Sequence, residues 1–128
     1  AKLTEVDLSR ADLTEAILEN SELKNSFLTG ADIRNANFKK ANLEGCDLSG
    51  AKITKAVFQH ANLKNSNLQR ADLEHADFSK ANLSQANLTG AKLADANFSN
   101  TILTGADFSG ADTTDTNFSD AKGYKKQE

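Results

Sequence analysis

The chain has no proline, no methionine and no tryptophan, a single cysteine and two histidines among its 128 residues. Without proline, no stiff linker marks an internal boundary, and the length suits one domain. One cysteine forms no internal disulfide. Two histidines fall short of the three or four converging ligands that a metal site needs. Alanine aside, no more than two apolar residues adjoin anywhere. No stretch therefore approaches the run of about 20 needed to span a membrane as a helix, and nothing reads as a signal peptide. The formal charge of −3 is too small to draw in nucleic acid or an anionic membrane surface. Methionine is missing even at the first position, which points to a processed form, an initiator-trimmed product or a piece of something longer.

What the chain does have is one pattern throughout. Ala71-Asp72-Leu73-Glu74-His75 and Ala76-Asp77-Phe78-Ser79-Lys80 are two consecutive copies of a five-residue unit: small, polar, large apolar, polar, polar. The large apolar residue is the centre, and the small residue two places before it is the minor position. Of the 25 minor positions from Ala1 to Ala121, 18 are alanine; the others are Val6, Ser21, Ser26, Cys46, Ser66, Thr101 and Thr116. Of the 24 centres from Leu3 to Phe118, 15 are leucine, two isoleucine, six phenylalanine, and Thr113 alone is polar. No insertion breaks the register, so the internal repeat governs every later inference.

A helix turns about 100° per residue, so centres five apart would wander around its surface without making a stripe. A regular strand needs strict alternation, which the unit breaks once per copy. The remaining solution is a chain that turns a corner every five residues, with centre and minor side chains inward and three residues outward. Four such sides make a twenty-residue coil, and coils stack at a strand spacing of about 4.8 Å. Two columns test the count of four. Phe38, Phe58, Phe78, Phe98 and Phe118 are spaced by twenty, and so are Gly30 and Gly50, with Gly90 and Gly110 further up the same corner. A three-sided coil would scatter both. Offset aromatic pairs suit that spacing, and glycine suits corners.

Runs such as Ala81-Asn82-Leu83-Ser84-Gln85, Ala86-Asn87-Leu88-Thr89-Gly90 and Ala106-Asp107-Phe108-Ser109-Gly110 resemble the pentapeptide repeat family, whose motif is A(D/N)LXX. The resemblance covers residues 1 to about 120. It implies an all-β solenoid, the family's right-handed quadrilateral β-helix, here with about six four-sided coils. The expected division is residues 1–120 as the β-helix and 121–128 as a short C-terminal tail, its last residues mobile, with Tyr124 giving partial cover at best. Family members are mostly non-catalytic. Some mimic duplex DNA and act on type II topoisomerases, and others are cyanobacterial regulators or thylakoid-lumen proteins. Cytoplasm, periplasm and thylakoid lumen are all compatible with this chain.

Charge is unevenly spread. The first coil is acidic, with Asp7, Asp12, Glu5, Glu15 and Glu19 against Lys2 and Arg10. From Lys24 to Lys92, ten basic residues face six acidic ones, a balance of +4. Beyond Lys92 five aspartates follow with no basic residue until Lys122. Nothing ahead of Leu3 covers the first coil, so the expectation is that upstream residues have been removed; end-to-end self-association would also cover it.

Candidate chemistry is thin. His60 and His75 fall at solvent-facing corners, Cys46 falls at an inward minor position, and a stacked rod offers no cleft where serines and acids converge. No catalytic, cofactor or metal residues are therefore expected. Asn42, Asn62 and Asn82 share a column before the centres, and Asn67 and Asn87 share another; stacked amides can bond up such a ladder. The informative exceptions are Ile17, Phe27, Val57 and Ile102, apolar where the unit has a polar residue and pointing outward. Phe27 is the most costly to leave wet and is the first candidate for a partner contact, the other three following.

The sequence-level expectation is a non-catalytic structural or protein-interaction scaffold, possible as a module of a larger protein, with a protein partner of unknown identity, no cofactor, no nucleic acid and no membrane insertion by this segment. The alternative is a DNA mimic acting on a type II topoisomerase. Mimicry needs acidic charge continuous along the rod in place of phosphates. The column Asp12, Asp32, Lys52, Asp72, Lys92, Asp112 is twice broken by lysine, and the dimer-forming apolar tail typical of the DNA mimics is missing.

Overall fold

The computed structural model describes residues 3–124. Parallel bridges join Asp7 to Phe27 and Phe27 to Asp47, and the same step of twenty recurs up to the pair Ile102 and Lys122. Each bridging residue is the one just before a centre, and a turn separates it from the next bridge. A side is too short to make an extended strand, so its sheet is a ladder of single bridges. The four sides are named by their centres: the first carries Leu3 and Leu23, the second Leu8 and Leu28, the third Leu13 and Ile33, the fourth Leu18 and Phe38.

Backbone hydrogen bonds explain why the unit repeats. In one unit of the fourth side, the Asn37 N–H donates to the Ala16 carbonyl in the coil before, at 2.9 Å. The Phe38 and Lys40 N–H groups donate to the Val57 and Gln59 carbonyls in the coil after, at 2.7 and 2.9 Å. The Ala41 N–H closes the corner on the Phe38 carbonyl at 2.9 Å. That leaves the Lys39 N–H, which donates to Oδ1 of Asn37 at 2.9 Å. All five donors of the unit are thereby satisfied, the last by the side chain before the centre.

Every corner residue from Glu5 to Asp120 sits at positive φ, from +55° at Asp115 to +75° at Gly105. An i to i+3 bond with positive φ at the third residue marks a type II-like turn. Eighteen of these corners are not glycine, and each such residue costs about 1 kcal/mol or more to hold there. Asparagine, aspartate and histidine bear that conformation best. His60 and His75, at φ +62° and +61°, are two of the corner residues, which accounts for their positions without any ligand.

Centre and minor side chains from Leu23 to Leu103 are buried almost without exception. Phe38, Phe58 and Phe78 stack at centroid distances of 4.9 and 4.6 Å with planes 2° and 1° apart, and Phe98 follows at 4.9 Å. The stack ends in a different packing. Tyr124 lies on Phe118 at 3.8 Å and 8°, and meets Phe108 edge-on at 5.2 Å. Gly123 permits this: its φ is +80°, and a Cβ there would come within 2.8 Å of the Thr104 Cα. Bridging runs on to Lys122, so the backbone ladder enters the segment expected as a tail, whose last residues, 125–128, fall outside the described residues. At the other end Leu3, Leu8, Leu13 and Leu18 are only half-buried.

Polar minor residues point inward. Ser26 donates to the Leu3 carbonyl at 2.6 Å and accepts from the Val6 N–H at 3.2 Å. The Cys46 thiol, in the same column, donates to the Leu23 carbonyl at 2.9 Å. Next in that column, the Ser66 hydroxyl is buried with no partner among the described residues. Leaving a buried donor unpaired costs about 1–3 kcal/mol. Ser66→Ala should therefore raise the urea midpoint, by about 1 kcal/mol of stability, whereas a lowered midpoint would show that the hydroxyl is bonded. Phe58→Ala should cost about 3–5 kcal/mol in the same measurement, and Phe58→Leu clearly less, since leucine fills most other centres.

Candidate functional site

The side chain before the centre is a structural cap wherever it is aspartate or asparagine. Asp7, Asp47 and Asn67 on the second side each accept the backbone N–H two residues on, from Ser9, Ser49 and Gln69, at 3.0 Å. On the first side Asn42 and Asn62 do the same for Glu44 and Lys64, at 3.1 and 3.0 Å. Serine or threonine at the capped position adds its hydroxyl, as Ser49 does to Asp47 at 2.7 Å and Ser84 does to Asn82. These are Asx-turns, which offer a turn its missing acceptor. The expected bonding between stacked amides is not what forms: among the described residues no hydrogen bond joins Asn42, Asn62 and Asn82 to one another. Their oxygens turn back into their own corners because the local N–H is the nearer unsatisfied donor.

Against that background the apolar exceptions stand out. Ile17 is 80% exposed, Phe27 50% and Ile102 39%, while Val57 is half-buried. Each gives up the cap. The structure does not gather them: Ile17 and Val57 share the fourth side with Asn37 between them, Phe27 is on the second and Ile102 on the first.

The second side carries a feature that the sequence reading did not single out. An open notch of about 310 Å³ is lined by Thr29, Ser49, Gly50, Gln69 and Arg70. A Cβ on Gly50 would meet nothing within 4 Å. The corner column there runs Arg10, Gly30, Gly50, Arg70, Gly90, Gly110; the Arg10 stem lies 3.6 Å from where a Gly30 Cβ would be. The spaced glycines of that column were the available signal, but spacing alone cannot say that two of them adjoin an uncapped turn.

Electrostatically the rod is patterned by local pairs. Arg34 grips Asp32 with two bonds, Nε to Oδ1 at 2.8 Å and Nη2 to Oδ2 at 2.7 Å. His75 Nε2 lies 3.8 Å from Asp95 Oδ2. Bridges connect Asp12, Asp32, Lys52, Asp72, Lys92 and Asp112 as one column, so lysines interrupt its acids in space as well as in sequence. Burial pushes the Cys46 thiol up to about 11, leaving it protonated and inert near neutrality. Among the described residues no group of three histidine, cysteine or acidic side chains could hold a metal, and no helix is long and apolar enough to cross a membrane.

Five of the capping acids, Asp7, Asp12, Asp32, Asp107 and Asp112, are held below the ordinary aspartate value of 3.8. For Asp7, Asp12, Asp107 and Asp112 the main cause is the hydroxyl of Ser9, Thr14, Ser109 and Thr114, followed by the same residue's backbone N–H. For Asp32 it is the bond from Arg34. A folded-state value below the unfolded one contributes stability that is complete above the unfolded value and fades as pH falls through the folded one. Thermal midpoints should thus be level from this source between pH 5 and 7 and fall below about pH 4. Converting Asp7, Asp12, Asp107 and Asp112 together to asparagine keeps the acceptor oxygens, so the variant should lose less between pH 6 and pH 3; an equal loss would mean the caps do not titrate as argued.

Comparison with known proteins matches this geometry. The family model for pentapeptide repeats matches eight times, over segments lying between residues 1 and 120. The chain belongs to the pentapeptide repeat family. Among solved structures, a pentapeptide repeat protein from the Arabidopsis thaliana thylakoid lumen is 33% identical with a TM-score of 0.69, over 71% of this chain and 63% of that one. Rfr23, from the cyanobacterium Cyanothece, is 33% identical with a TM-score of 0.45, over 75% of this chain and 58% of its own. HetL, from the cyanobacterium Nostoc and involved in heterocyst differentiation regulation, is 24% identical with a TM-score of 0.51, over 94% and 84%. The chain thus spans less than two thirds of the first two proteins' lengths. No curated protein matches.

Proposed function

We propose that this chain is a non-catalytic rod that binds protein partners through its sides, wound right-handedly like the family's quadrilateral β-helices. The observation that carries the reading is the exposure of Phe27 and Ile17 at a position where aspartate or asparagine elsewhere caps the corner. Each of these residues costs the fold twice, by wetting an apolar side chain and by leaving a turn N–H uncapped. Residues that lower stability without a packing benefit are what a contact surface retains. Phe27 is the principal contact in this reading, with Ile17, Val57 and Ile102 as further contacts on other sides. A topoisomerase-directed DNA mimic is the weaker reading, because Lys52 and Lys92 interrupt the acidic column and Arg34 neutralises Asp32.

Phe27→Asn tests the proposal, because it supplies the cap and removes the apolar contact in one step. The variant should gain about 1 kcal/mol of stability and lose the protein that the unaltered chain captures from its own cells. Undiminished capture by a combined Phe27→Asn and Ile17→Asn variant would refute the reading. A gyrase supercoiling assay with added protein should show no effect.

A further inference from the structure

The second side has a place shaped for an acid that it does not itself provide. Its turns follow one plan. Asp7, Asp47, Asn67, Asn87 and Asp107 each accept the backbone N–H two residues on, and Ser49, Thr89 and Ser109 add their hydroxyls to the same oxygen, at 2.7, 2.6 and 2.6 Å. The exception is the turn that begins at Phe27. There the N–H and hydroxyl of Thr29 have no acceptor among the described residues. Thr29 is also a wall of the open notch above Gly50, whose other edges are Ser49, Gln69 and Arg70.

We propose that this notch receives a single carboxylate of a protein partner, bound by the Thr29 N–H and hydroxyl in the role that Asp47 plays one coil on. The site deepens the protein-binding reading above and rests on it. Three features fit the assignment. The donor pair is the one that binds a carboxylate in the Asp47 and Asp107 turns of the same side. Arg10 and Arg70 stand at the two ends of the glycine-cleared corner, and neither is paired with an acid among the described residues. Phe27, half exposed and two residues from Thr29, offers an apolar contact beside the acid. Asp47, on the same side, disfavours a multiply charged anion, so a carboxylate suits the notch better than a phosphate. The carboxylate is either an aspartate or glutamate side chain or a chain terminus, which share the same donors.

Amide chemical shifts of the 15N-labelled chain would test it. The probes are a capped peptide with one aspartate between leucines, its asparagine counterpart, a leucine peptide with a free C-terminal carboxylate, and inorganic phosphate. The aspartyl peptide or the free-carboxylate peptide should move the amides of Thr29, Ser49, Gly50, Gln69 and Arg70, and the stronger of the two identifies the source. The asparagine peptide should not move them. Replacing Arg10 and Arg70 by glutamine should weaken the response by about two- to fivefold at low salt, as for exposed charges. Gly50→Gln, a residue that Gln85 shows is accepted at a corner with φ +61°, should fill the notch and abolish the response. Absent shifts, equal shifts with the asparagine peptide, equally strong phosphate shifts, or a Gly50→Gln response like the unaltered chain's would each overturn the site. Partner capture lost in Phe27→Asn but intact in Gly50→Gln would overturn the notch and leave the scaffold reading standing, whereas undiminished capture by the combined Phe27→Asn and Ile17→Asn variant would overturn the scaffold reading itself.

Discussion

The corner governs this molecule. One residue in five is held at positive φ, and that bend returns the chain over itself after twenty residues. Once the return is set, inter-coil hydrogen bonding follows from closure: three of the five backbone N–H groups in a unit reach a neighbouring coil and one closes the turn. The cost of the corners is spread over eighteen residues that are not glycine. It is offset because nearly every donor is satisfied and because the interior is filled by alanine and leucine in register. Dispersion within such a core is a sum over many weak contacts, so its regularity is what counts.

The same geometry divides labour among the five positions. Centre and minor residues fill the interior, the corner residue bends, and the residue before the centre caps. One outward position per unit remains for anything else. Function in such a rod therefore shows as departures from the code, and the departures worth reading are those that cost stability. Phe27 is the clearest, since it forgoes the cap, exposes a ring and stands two residues before Thr29, a wall of the notch at Gly50.

Much of the architecture was legible from the residues. The step of twenty, the inward direction of Cys46 and the phenylalanine column all follow from a period that neither helix nor strand can use, because burial in a coil of fixed size leaves few alternatives. Corner conformation was less legible. Glycine, asparagine, aspartate and histidine at many corners favour it, but residues as unlike as Glu5, Lys40 and Gln85 adopt it too, and there closure of the coil imposes it. The asparagine columns suggested bonding along the stack, whereas each amide oxygen serves its own turn. That distinction depends on which donor lies within reach, and spacing does not report it. Tyr124 was expected to give partial cover, but its face-to-face stacking on Phe118 requires the Gly123 bend, which a break in the code does not reveal. For the candidate site, the sequence pointed to Phe27, but the free Thr29 donor and the notch emerge only when adjacent coils are placed together.

The central claim is the register, and disulfide formation tests it directly. In a Cys46→Ala background, cysteines at Lys52 and Asp72, which are bridge partners twenty residues apart, should lie within the roughly 4.4–6.8 Å Cα separation that a disulfide spans. Cysteines at Lys52 and Asn67, which only a three-sided coil would bring together, should not. Oxidation that closes the first pair and leaves the second as thiols is the predicted result. Closure of the second pair with the first left open would contradict the four-sided coil.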